Sequence, residues 1–187
     1  AGDDIIVAGG GGDSINPGAG NDYVNGQSNV SQYDDDEWGS RDEVTFWSTS
    51  YGQVELEEVT VLVDDTTGMA KSNGDGQWII YGYAGDAALT SDAVAITAGT
   101  ASTTVGFTAT KGYLVTDTKS GGIGTNLLVG VEAIGFQDQY VEVQGRSNEW
   151  SWTDWMTGET ITEKSVEGTL FSEILTADQL LRNRLSR

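Results

Sequence analysis

The chain contains no cysteine and no histidine. The first absence removes disulfides and thiolate metal sites. The second removes zinc chemistry of the usual kind, Ser-His-Asp catalysis and histidine general bases. Proline occurs once, and nine lysines and arginines stand against 29 aspartates and glutamates. No apolar run approaches the roughly 20 residues of a membrane helix, so membrane insertion is not expected. No secretory signal opens the sequence, which starts in mid-repeat, as a piece of a larger polypeptide would. There is no phosphate-binding loop and no nucleophile motif. Paired carboxylates of the glycosidase kind exist throughout so acidic a chain, but nothing marks one pair over another. The expectation is a protein that is not an enzyme.

What remains is acidic, rich in glycine and rich in β-formers. With 187 residues the chain holds one or two domains and buries a real core. Its net charge is -20, and residues 1–160 carry all of the excess, with 25 acidic and 5 basic side chains. Such a field repels nucleic acid and anionic membrane surfaces and attracts divalent cations. Carboxylates clustered in turns oppose folding until a metal offsets their repulsion. The plainer reading of the charge is solubility in a saline habitat, and the two are compatible.

The N-terminal segment is the most ordered in pattern. Asp4, Asp13 and Asp22 recur every nine residues. Gly2, Gly11 and Gly20 stand two positions before them, and Ile6, Ile15 and Val24 two positions after. Glycine permits positive φ, so that carbonyls turn toward a cation, and aspartate adds a charged oxygen. A three-residue strand then sends one apolar side chain inward. A flexible Gly/Asp linker would not keep the three apolar positions in phase.

Residues 1–26 resemble the repeats-in-toxin (RTX) family of secreted calcium-binding proteins, with its Gly-Gly-x-Gly-x-Asp-x-apolar-x nonapeptide. The resemblance implies a parallel β-roll in which turns eighteen residues apart stack. Asp4 and Asp22 would then share a Ca2+ with carbonyls near Gly2, Gly18 and Gly20. Asp13, with Gly9 and Gly11 before it, would lie on the other side opposite Ser31, as half of a site at best.

After Gly26 the phase is lost. Asp34, Asp35, Asp36, Glu37, Asp42 and Glu43 fall within ten residues. They form either a solvated acidic loop or a second calcium site, for which Asp34 and Asp36 are the candidate ligands. Asp64-Asp65 and Asn73-Gly74-Asp75-Gly76 read as ordinary turns. From about residue 44, short apolar or alternating runs separated by turn signals predict some eight strands. Within Val54–Val63 the alternation changes phase once, which predicts a bulge at Glu57-Glu58.

Val131, Glu132, Ile134, Phe136 and Asp138 form a pattern similar to segments beside nonapeptide blocks in serralysin-type proteases and large RTX adhesins. The resemblance implies a strand–turn–strand that continues the roll's ladder; a plain hairpin is the alternative. Gly168–Leu175 resembles a degenerate further repeat. If both echoes hold, the β-domain is an insertion that splits the roll. Trp150, Trp152 and Trp155 lie within six residues. They are either buried against a sheet or an aromatic platform for a glycan or peptide. The last dozen residues predict a short helix capped at Thr176 or Asp178.

The expected fold is all-β, with a short parallel β-roll at 1–30, a β-rich domain at 31–145 and a Trp-rich segment, degenerate repeat and short C-terminal helix at 146–187. The expected function is a calcium-dependent folding and binding or extension module of an RTX adhesin, secreted by a type I system to the bacterial surface. The alternative is a noncatalytic C-terminal export-and-folding module of a secreted protease, lipase or alginate epimerase.

Overall fold

The computed structural model describes residues 1–26, 41–81, 92–119 and 121–143, with the backbone of strands at 146–153 and 160–167. Ser31, Asp34, Asp36, Trp155, the degenerate repeat and the expected C-terminal helix lie outside the described residues. The described chain is all-β, with a single 3-10 turn at Tyr51–Gln53. Ala1–Val141 form one compact unit and Glu142–Arg187 a second.

In the first unit, glycine-rich turns cut the chain into very short strands: β1 (Ile5–Val7), β2 (Ser14–Ile15), β3 (Tyr23–Asn25) and β4 (Glu43–Phe46). Longer strands follow, β5 (Val54–Asp64), β6 (Trp78–Tyr81), β7 (Val94–Thr97) and β8 (Phe107–Asp117). The unit closes with β9 (Thr125–Val129), β10 (Ala133–Phe136) and β11 (Tyr140–Glu142). One sheet runs β1-β3-β9-β8-β5-β6-β7 and the other β11-β10-β4-β2. Strands β1, β3 and β9 therefore belong to one sheet and β2, β4 and β10 to the other.

Strands β1, β3 and β9 run parallel in the first sheet, and β2, β4 and β10 in the second. Ile6 pairs with Val24 at the expected spacing of eighteen, and Val24 with Leu128. In the other sheet Ile15 pairs with Val44, and Val44 with Ile134. These are the apolar positions of the repeat, and Val24, Leu128, Val44 and Ile134 have no exposed surface. Residues of the opposite parity on β3 and β9 are buried as well. Tyr23, Leu127 and Val129 pack with Val59, Val61, Ile80, Val94 and Leu114 in one cluster. β3 and β9 are buried on both faces, as parallel strands inside a sheet usually are, with Asn25, Thr125 and Asn126 as their buried polar residues.

Within Val131–Asp138, where a strand–turn–strand is expected, the structure places one strand, β10, which pairs parallel with β4; β9 before it pairs parallel with β3. The apolar run from Leu127 to Phe136 splits at Gly130, whose φ is 58°, so that β9 and β10 enter different sheets. β8 then pairs antiparallel with β9 and ends the parallel ladder in its sheet.

The expected bulge is absent. β5 and β8 pair without interruption from Val54↔Asp117 to Asp64↔Phe107. The break in alternation has a different cause. Val59, Val61 and Val63 face the cluster, Glu57 shares their parity, and Leu56 and Leu62 lie on the other face. A carboxylate stands at a core-facing position, and no residue has been added. The two acidic turns behave as expected. Asp64 Oδ1 accepts the Thr66 and Thr67 amides, and Asn73 Oδ1 accepts those of Asp75 and Gln77.

In the second unit, β12 (Arg146–Thr153) and β13 (Thr160–Glu167) form an antiparallel pair. Trp150 stands opposite Glu163 and Trp152 opposite Ile161.

Candidate metal centre

Two series of turns flank the parallel strands. One precedes β1, β3 and β9; the other precedes β2, β4 and β10. Gly2, Gly9, Gly11, Gly18 and Gly20 all have positive φ, between 96° and 150°. Side-chain-bearing residues avoid that region, which is why the repeat requires glycine there. Successive turns also stack too closely for a side chain. A Cβ on Gly20 would collide with the Gly2 carbonyl, and one on Gly124 with the Gly20 carbonyl.

On the first edge, the Asp4 amide donates to Asp22 Oδ1 at 2.8 Å. The strand register places Asn126 next in the same row. A parallel row runs one residue earlier. The Asn21 amide donates to Asp3 Oδ1 at 2.8 Å, and the Thr125 amide to Asn21 Oδ1 at 3.0 Å. Asp22 and Asn126 are fully buried. Asp22 Oδ2 and Asn126 Oδ1 are buried without a hydrogen-bond partner.

The second edge repeats the device. The Asp13 amide donates to Asp42 Oδ1 at 2.8 Å, and the Asp42 amide to Glu132 Oε2 at 2.8 Å. Asp42 is fully buried, and both its Oδ2 and that of Asp13 are buried without a partner. This corrects the expected match of Asp13 with Ser31. Ser14 pairs with Glu43, so Asp42 takes the place opposite Asp13. Asp42 stands 29 residues beyond Asp13, outside the nine-residue phase.

Burying carboxylates beside one another is costly, and both central aspartates register that cost. Burial pushes the Asp42 carboxyl up from 3.8 to about 7; the Asp13 amide opposes the rise, and the charges of Glu132 and Asp13 add to it. Burial likewise raises Asp22, against the Asp4 amide and with help from the charges of Asp4 and Asp3. Near neutral pH Asp42 therefore retains a proton or acquires a counter-charge. Oxygen-only donors, carboxylates next to carbonyl-exposing glycines, fit a hard cation such as calcium. Among the described residues no three His, Cys, Asp or Glu side chains converge as a complete ligand set. The carboxylates are instead grouped one or two to a pair of stacked turns, beside glycines of positive φ.

Of the expected ligands, Gly2, Gly18, Gly20, Asp4 and Asp22 come together on the first edge, and Gly9, Gly11 and Asp13 on the second. The sequence reading missed Asn126, Glu132 and the pairing of Asp42 with Asp13. One signal was present for all of them. Asp42-Glu43-Val44, Asn126-Leu127-Leu128 and Glu132-Ala133-Ile134 repeat the acid-or-amide, any residue, apolar triplet of Asp4-Ile5-Ile6, and Gly124 and Gly130 stand two positions before Asn126 and Glu132 as Gly2 does before Asp4. Compared with models of protein families, with curated proteins and with solved structures, the chain matches none.

Proposed function

We propose that the chain is a calcium-dependent folding and binding module of a secreted bacterial adhesin of the RTX type. In this reading the parallel strands and their turns are a short β-roll that calcium completes, and β5–β8 are an insertion within it. The observation that carries the reading is Asp22. Its carboxylate is fully buried, one oxygen holds the Asp4 amide, and the other has no partner beside turns held open by Gly2, Gly18 and Gly20. A buried orphan oxygen is rare in a native protein and calls for an ion or a water. A net charge of -20 supports the ion. The module acts outside the cell, as an adhesive or extending segment of a larger polypeptide. A glycan or peptide would be held near Trp150, Trp152 and Trp155.

Calorimetric titration of the chain with calcium tests the proposal. The wild type should bind calcium, and Asp22→Ala should weaken one site at least tenfold or abolish it. Absence of calcium binding by the wild type, or an unchanged isotherm in Asp22→Ala, would overturn it.

A further inference from the structure

We propose that the outer face of the β11-β10-β4-β2 sheet is a platform for a neutral glycan, with the Trp47 indole as stacking surface and the Glu43 carboxylate as acceptor of sugar hydroxyls. The proposal deepens the reading of the chain as a binding module, and it places the site in the first unit, away from the tryptophans of the second.

Among the described residues, the aromatic side chains that stand exposed are Trp47, at 58%, and Tyr140, at 44%. The sheet brings both to one face. On β4, Val44 and Phe46 are buried toward the interior, so Glu43, Thr45 and Trp47, just past the strand, have the opposite parity. The neighbouring β10 places Gly135 beside Thr45. Measured from where a Cβ on Gly135 would stand, Thr45 Cγ2 lies at 3.3 Å, Glu43 Oε1 at 3.4 Å and Trp47 Cη2 at 3.7 Å. The bare glycine therefore leaves room for the carboxylate and the indole to lie side by side over the sheet. Tyr140, on β11, closes the row. Its hydroxyl donates to Glu43 Oε2 at 3.0 Å, and the Arg41 guanidinium lies 5.3 Å from the centre of its ring.

A pyranose has an apolar face of C–H groups and a rim of hydroxyls. The apolar face would cover the exposed indole, which favours burial against such a surface. The hydroxyls would donate to Glu43 Oε1, and hydrogen bonds to an ionised acceptor are stronger than neutral ones. Trp47 Cη2 and Glu43 Oε1 both lie within 4 Å of one point above Gly135, so a single sugar ring reaches from one to the other. Tyr140 is a positioning residue, since it fixes the carboxylate. The face carries a guanidinium beside a carboxylate, which suits neither a polyanion nor a polycation. The net charge of -20 further repels acidic polysaccharides, so the ligand that fits is uncharged.

Titration calorimetry of the full chain in millimolar calcium tests this with cellohexaose, maltohexaose and mannohexaose, and with an oligouronate as the anionic control. The wild type should bind at least one of the neutral oligosaccharides and not the oligouronate. Trp47→Ala should weaken that binding at least tenfold, with Trp47→Phe losing less, while the calcium isotherm and melting temperature of Trp47→Ala stay those of the wild type. Glu43→Gln should also weaken it. A wild type that binds calcium but none of the neutral sugars would overturn the platform and leave the calcium reading intact. Sugar binding that survives both Trp47→Ala and Glu43→Gln would also overturn it and move the glycan to another face. A wild-type dimer in light scattering that Trp47→Ala converts to a monomer would assign the face to contact between copies and overturn the proposal as well.

Discussion

With its carboxyl pushed up to about 7, metal-free Asp42 holds a proton in the folded chain at pH values where the unfolded chain has already lost it. Between about 4 and about 7 the native state binds more protons than the unfolded state, so stability falls as pH rises. Asp22 acts in the same direction. Chelated protein should therefore melt at progressively lower temperature from pH 4 to pH 7, and Asp42→Asn should flatten that slope. A melting temperature that rises through this window would contradict the burial and crowding described for Asp42. At this scale the sequence was legible where the glycine and the acid recur every nine residues. Asp4, Asp13 and Asp22 stand in a motif whose spacing forces the turn. Asp42, Asn126 and Glu132 occupy the same rows outside that nine-residue phase, and only the strand pairing brings them into register.

The strands were largely visible as apolar runs, but their extents depended on tertiary partners. The runs around Phe107 and Tyr113 join into one eleven-residue strand because β5 and β9 pair along its two edges. The run from Leu127 to Phe136 divides because of one positive φ. The expected bulge failed for a side-chain reason, since Glu57 points to the face on which Val59 and Val61 are buried. Glu57 Oε2 is buried without a hydrogen-bond partner, opposite Leu114. An apolar side chain of similar size removes that desolvation cost. Glu57→Leu should stabilise the protein by about 1–2 kcal/mol in denaturant unfolding. A loss of similar size would mean that Glu57 makes a compensating interaction.

Across the whole molecule, a charge of -20 and a series of stacked acidic turns oppose folding, while the apolar rows on β3, β4, β9 and β10 favour it. Bound cations would shift that balance by mass action, so stability should follow the calcium concentration. The stacking of turns eighteen residues apart could be read from the repeat. The return of the ladder after a long excursion could be expected only from the Val131–Asp138 pattern, since no local signal couples segments about a hundred residues apart. The most direct test is thermal melting, followed by circular dichroism, of the full chain in calcium, in magnesium and in chelator. The account predicts a β signal that is reduced in chelator and restored by millimolar calcium, poor restoration by magnesium, and a melting temperature that climbs with calcium concentration. Identical spectra and melting temperatures in all three would contradict it.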